Sequence, residues 1–375
     1  MPEESASYAA AGVDLEAADE AVRRIGALAA STARPGVMEG IGGFGGSFAL
    51  DTSHMEQPVL VSSTDGVGTK LAVAQAAHRF DTVGIDLVAM CADDLVCVGA
   101  EPLFMLDYIA TGHIDPAQIE ILVSGIAQGC RQAGCALLGG ELAEHPGEME
   151  HGKFDMAGFA VGVVDRDKRI GPDLVKPGDT LIGIRSPGLR SNGYSLARNV
   201  LLERAGLPLD GPAWQGALHS LADEMLRPSV IYTPAVLAAV RTGFVHAAAH
   251  ITGGGIPGNL IRVLPDGCEA VVDRSAWTEP AVFGELRRLG NIPDDEMERV
   301  FNLGIGMVLV VVPDGVDEVT SAIVAASEPR SSSETGGSFE AAGPFAHGAA
   351  AGVAQPVVIG TVRAGSRGVR IVGGS

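Results

Sequence analysis

Apolar and polar positions along this chain follow two rhythms. Over residues 15–30, Leu15, Ala18, Val22, Ile25, Leu28 and Ala29 recur at the spacing of one helical face, and Arg34-Pro35-Gly36 stops the run. Similar segments predict helices over 69–77, 83–92, 116–133, 194–204, 234–241, 280–290 and 316–326. Short runs rich in apolar residues predict strands at 59–63, 103–109, 136–138, 154–164, 179–184, 270–272 and 305–312. Residues 248–255 lead into a further helix through Pro257 and Asn259, and 356–361 with 368–372 read as a terminal strand pair.

Strands and helices alternate, but irregularly, and the strands carry glycines such as Gly158 and Gly162, which point to close backbone approach or tight curvature. That predicts an α+β fold with a curved sheet more than a doubly wound one. A chain of 375 residues exceeds what one core usually fills. The turn-rich Val175-Lys176-Pro177-Gly178-Asp179 puts a boundary near 170, hence domains over 1–170 and 171–375. Residues 328–355 are rich in Ser, Gly and Ala and read as a loosely packed insertion in the second domain; residues 1–12 read as a mobile or edge segment.

Composition narrows the function classes. Forty-six acidic against 26 basic residues give a net charge of −20. That argues against binding nucleic acid or an anionic membrane surface, and favours a metal cation wherever a polyphosphate binds. Five cysteines without a CxxC pair indicate neither a disulfide framework nor a zinc site. No apolar run is long enough to span a membrane and the N-terminal stretch lacks a signal-peptide core, so a soluble cytoplasmic protein is expected.

Candidate chemistry lies where glycines and carboxylates cluster. Glycine fills four of the five positions 42–46 (Gly42, Gly43, Gly45, Gly46), which suits neither a helix nor a central strand. The bare N–H groups of such a loop can close over phosphates, although the pattern is neither the Walker nor the Rossmann one. Thr64-Asp65-Gly66-Val67-Gly68-Thr69-Lys70 follows the first strand, Asp93-Asp94 follows an apolar helix, and Gly139-Gly140-Glu141 follows the strand at 136–138. Asp65, Asp94 and Glu141 are the candidate magnesium ligands, since magnesium takes one or two carboxylates together with phosphate oxygens. Spacing alone does not separate Asp94 from Asp93. Lys70 is either a phosphate contact or an exposed lysine. Ser191-Asn192-Gly193 and Thr252-Gly253-Gly254-Gly255 each stand before a helix, where small residues leave N–H groups for phosphate or act as ordinary caps. No Ser-His-Asp or Cys-His set is legible; His145, His151 and His250 lie near the motifs.

Taken in order, GIGGFGG, TDGVGTKL, DLVAMCADDLVCVGAEPLFMLDYIATG, GGELAEHPG, SNGYSL, HITGGGIPGNLIRVLP and NLGIGM closely resemble the aminoimidazole ribonucleotide (AIR) synthetase, or phosphoribosylformylglycinamidine cyclo-ligase, family. The resemblance covers residues 8–312 and 356–372. It implies a homodimer whose N-terminal sheets pair into a shared β-barrel, and a C-terminal mixed sheet covered by helices. It implies ATP-dependent ring closure of formylglycinamidine ribonucleotide (FGAM) to AIR in purine biosynthesis, with Mg2+. Carried over motif by motif, Asp65, Asp94, Glu141 and Lys70 make the catalytic end. Gly42, Gly43, Gly45, Gly46, Thr64, Asp65, Gly66, Gly68 and Asp94 bind ATP. Ser191, Asn192, Gly193 and Thr252, Gly253, Gly254 and Gly255 bind substrate.

Three positions depart from the family pattern: Arg190 where a histidine is usual, Asp93 for an asparagine, and Leu142 for a threonine. Arginine can hold phosphate but cannot act as a base at neutral pH. Two other readings stand beside the cyclo-ligase: a small-molecule kinase of the thiamine-monophosphate kinase kind, and an inactive nucleotide-binding subunit.

Overall fold

Local chemistry sets the element boundaries. Helix α1 (Leu15–Ala30) starts where the Asp14 carboxylate accepts a hydrogen bond from Ala17 N at 2.9 Å. Helix α4 (Pro116–Ala133) is capped in the same way by Asp115, has Pro116 in its first turn and stops at Gly134, whose φ is +74°. The structure is a computed structural model that describes residues 8, 11–327 and 355–373. The expectation for residues 1–12 lies mostly outside the described residues, and that for 328–355 almost wholly so.

The described residues form two compact units, one from residues before 96 together with Glu101–Arg166, the other from Val96–Ala100 together with residues after 166. The first holds α1, β1 (Pro58–Gly66), α2 (Lys70–Ala77), α3 (Val83–Val96), β2 (Glu101–Thr111), α4, β3 (Ala136–Glu144) and β4 (Phe154–Asp165). Its sheet has the order β1-β4-β2-β3, with β2 and β3 parallel and the other pairs antiparallel. Helix α3 lies close on one face. A Cβ at Gly158 would collide with Met105 Cε and stand 3.0 Å from Cys91 Sγ. The strand glycines therefore serve close approach, as their pattern predicts. The opposite face is open: the register aligns Leu60, Phe159 and Tyr108 there, with 63%, 41% and 40% of their surface exposed. Within one chain this sheet does not close into a barrel.

The second unit contains β5 (Thr180–Arg185), α5 (Tyr194–Arg198), α6 (Leu221–Met225), α7 (Thr233–Arg241), β6 (Val245–His250), α8 (Gly255–Leu260), β7 (Cys268–Asp273), α9 (Ala281–Gly290), α10 (Asp294–Val300), β8 (Ile305–Val311), α11 (Val316–Ser327), β9 (Pro356–Ala364) and β10 (Gly368–Val372). Its six-stranded sheet runs β10-β7-β9-β5-β8-β6, and only β10 and β7 are parallel. Both faces are covered. Leu181, Val308 and Val310 pack with Ile256 and Leu260 of α8 on one side, and Ile182, Met307 and Leu309 with Val236 and Ile323 on the other. That is the helix-covered mixed sheet the family implies.

Three expectations need correction. The last two strands are not partners, because β7 stands between β10 and β9. Helix α3 runs on to Val96, so Asp93 and Asp94 are helical residues. Strand β3 continues through Gly139-Gly140-Glu141 to Glu144, paired with β2 all the way, so the motif is strand and not the loop after one.

Candidate functional site

The first cluster joins β1 to α3. Near the end of β1, Asp65 Oδ1 accepts from Gly66 N at 2.7 Å. Ser63 Oγ of β1 donates to Asp94 Oδ2 of α3 at 3.4 Å, and Cys91 Sγ, also on α3, lies 3.9 Å from Asp65 O. Burial, reinforced by the charges of Asp65 and Asp94, pushes the Cys91 thiol up to about 12, so it stays protonated between them. Asp65 and Asp94 are both exposed while Asp93 is buried, because successive helical residues point about 100° apart. The structure thus separates the two aspartates that spacing could not. Thr64 Oγ1 donates to Gly158 O at 2.8 Å, and Gly68, at φ +68°, makes the left-handed turn into α2.

Lys70 is placed differently from its expected role. It is fully buried, and its Nζ stands 2.6 Å from Asp86 Oδ2, itself fully buried. In this conformation the ammonium neutralises a core carboxylate and binds α2 to α3 rather than facing a phosphate. Removing one partner of such a pair leaves an uncompensated charge, at a cost of about 3–5 kcal/mol.

The second cluster is a cavity of about 450 Å³ beneath the glycine loop. Gly42, Gly43, Gly45 and Gly46 line it together with Gly139, Gly140 and Glu141, and α1 and α4 supply apolar wall from Val22, Ile25, Ile119 and Val123. The loop lies against β3: a Cβ at Gly46 would come within 2.8 Å of Leu138 O. Gly42, at φ +110°, is the loop position whose backbone itself calls for glycine. Leu142, the departure after the glutamate, lines the same cavity. So does Asp107 of β2, which the sequence reading passed over inside an apolar strand. Asp107 pairs with Gly140, where any Cβ would collide with its Oδ1, so the bare glycine makes room for the carboxyl. Burial pushes Asp107 up to about 7, partly opposed by its own N–H. A lone Asp in a run such as LFMLDYI was the available signal, since an unpaired carboxylate is costly there.

Asp65 and Asp94 do not line this cavity. Among the described residues no group of three or more His, Cys, Asp or Glu is arranged to hold a metal. Two exposed carboxylates on neighbouring elements nevertheless suit magnesium, which usually completes its shell with water and phosphate oxygens.

The third cluster is in the second unit, where three turns meet. Asn302 Nδ2 donates to Gly188 O at 2.9 Å and Leu189 O at 3.3 Å. A Cβ at Gly193 would strike Phe301, and one at Gly255 would strike Glu298 O. One at Gly253 would stand 4.0 Å from Asn192 Nδ2. Asn259 Nδ2 braces the other turn by donating to Gly255 O at 2.8 Å and Gly253 O at 3.2 Å, and Gly254, at φ +99°, precedes α8. Ser191, Asn192, Gly193 and Thr252–Gly255 are therefore brought together with the NLGIGM segment. Ser191 Oγ and Asn192 Oδ1 are buried and find no hydrogen-bond partner among the described residues.

Comparison with known proteins fits this arrangement. The AIR synthase related protein, N-terminal domain, matches residues 50–164, and the AIR synthase related protein, C-terminal domain, matches residues 176–332. A phosphoribosylformylglycinamidine cyclo-ligase from Anaeromyxobacter dehalogenans is 54% identical over 341 residues, 91% of this chain and 97% of that protein. The chain belongs to the phosphoribosylformylglycinamidine cyclo-ligase family. The fold of this cyclo-ligase family member extends to more distant proteins. The thiamine-monophosphate kinase of Stenotrophomonas maltophilia superposes with a TM-score of 0.63 at 19% identity, covering 94% of this chain and 96% of that one. Hydrogenase maturation protein HypE in complex with ATP superposes with a TM-score of 0.60 at 16% identity, covering 93% and 90%.

Proposed function

We propose that this chain closes the imidazole ring of FGAM, using ATP and releasing AIR, ADP and phosphate. The observation that carries the reading is the 54% identity over 97% of a relative bearing the cyclo-ligase name. An amide oxygen is a poor leaving group. The formamide oxygen attacks the γ-phosphorus of ATP and ADP departs. The amidine nitrogen then attacks the activated carbon, and the oxygen leaves as part of inorganic phosphate. The kinase likeness rests on fold at 19% identity and gives the alternative no comparable support.

The roles of the residues follow from their settings. Asp65 and Asp94 would hold Mg2+, which would supply positive charge against the polyphosphate. Glu141, Asp107 and the glycine loop frame the nucleotide, and Ser191, Asn192 and the 252–255 turn hold the ribonucleotide substrate. Lys70 supports this end by fixing α2 to α3. The open face bearing Leu60, Phe159 and Tyr108 pairs with a second copy, and two such sheets face to face make the shared barrel. Among the described residues no helix is long and apolar enough to cross a membrane.

The test is purified protein with ATP, Mg2+ and FGAM carrying 18O in the formyl group. The expected result is AIR, with the label in inorganic phosphate. Asp94→Ala should slow turnover by at least about 10²-fold, the scale of a lost preorganised electrostatic contact. Label retained in the nucleotide substrate, or a phosphorylated product without ring closure, would overturn the reading.

A further inference from the structure

A buried guanidinium connects two of the turns in the second unit. Arg190 is 2% exposed and has φ +65°, a backbone state that a non-glycine residue keeps only when its surroundings hold it there. Three contacts do so. Nη1 donates to Val230 O at 3.1 Å, the guanidinium carbon lies 4.7 Å from the centre of the Tyr232 ring, and Nη2 stands 2.8 Å from His250 Nε2.

That last contact has a definite polarity. Arginine carries five N–H donors and no acceptor. His250, 5% exposed, must therefore accept at Nε2, which leaves its ring proton on Nδ1. Arg190 immediately precedes Ser191 and Asn192, whose buried oxygens find no partner among the described residues, and His250 ends β6 just before Thr252. The Arg190–His250 bond thus ties the entrance of one turn to the entrance of the other.

We propose that Arg190 is a positioning residue for the ribonucleotide substrate: by locking His250 as the Nδ1–H tautomer it fixes the spacing between the 191–193 and 252–255 turns. Both terminal nitrogens of the guanidinium are then engaged within the protein, by Val230 O and His250 Nε2. The proposal rests on the substrate role of these two turns given above.

Two readouts test it separately. Long-range 1H–15N correlation on labelled protein, with His250 assigned through His250→Gln, should show a bare Nε2 and a protonated Nδ1. A protonated Nε2 would overturn the lock whatever the enzyme does. In kinetics, Arg190→Met keeps the volume and loses the donors. It should raise KM for the ribonucleotide about 10-fold, the scale of one hydrogen bond to a charged group. KM for ATP should stay within about twofold, because uniform binding is lost at one substrate only. His250→Gln offers an acceptor at similar reach and should recover most of the ribonucleotide KM, whereas His250→Leu should behave like Arg190→Met. Equal KM values in His250→Gln and His250→Leu would sink the idea even if Arg190→Met does not fold. If the native protein fails to turn over FGAM, the function reading falls and the tautomer spectrum still decides the lock.

Discussion

Asp107 shows how much one half-buried side chain can couple to pH. Its carboxyl titrates near 7 because burial disfavours the charged form, whereas in the unfolded chain it titrates near 4. Between those values the native state holds the extra proton, so this group's contribution to stability is greatest on the acid side and is lost as pH rises toward 7. Asp107→Asn removes the ionisation and should stabilise the protein at pH 8 by up to about 4 kcal/mol, with the gain gone by about pH 4. Melting curves of the two proteins across that range check it; a constant difference would place the raised pKa elsewhere. Not all of this scale was readable from the sequence. Asp65 sits beside a glycine turn and was legible as a candidate, whereas Asp94 lies within α3, where only the helical turn tells it from Asp93. Lys70 was legible as a residue but not as a buried one, because its partner Asp86 lies in an apolar helix whose pattern hides it. Asp107 needs Gly140 across the strand pair, a relation that only register supplies.

Among the elements, β4 and α3 depend on an absence. Gly158 lets Met105, Cys91 and Leu87 fill the space that a side chain would take. Gly158→Ala overfills this layer, and overpacking of that kind costs about 1–3 kcal/mol. Because Asp65 pairs with Gly158 and Asp94 rides on α3, the same change should also weaken activity. An alanine variant with native melting temperature and native turnover would show that the layer yields freely. The long periodic elements, α1 and α4 above all, were legible to the residue, since caps and breakers agree with the apolar spacing. The short helices α6 and α10 were not: LADEM and DDEMERV are too brief and too acidic for a periodic signal, and tertiary packing decides them.

For the whole molecule, the proposed dimer turns on the uncovered sheet face. Three large apolar side chains exposed along one register are a liability in a monomer. Phe159→Glu would put a charge in the middle of that face, and sedimentation should then shift from dimer to monomer; a native dimer in the variant would rule this face out as the interface. The order β10-β7-β9-β5-β8-β6 also sets a timetable. The first sheet has all its strands once Asp165 has been synthesised. The second has a gap between β7 and β5 that only β9 fills, and Thr180 must wait for Thr361. Pairings so distant along the chain form slowly. On the ribosome, the half that holds Asp65 and Asp94 can reach its native state while the half proposed to receive the ribonucleotide still lacks a central strand.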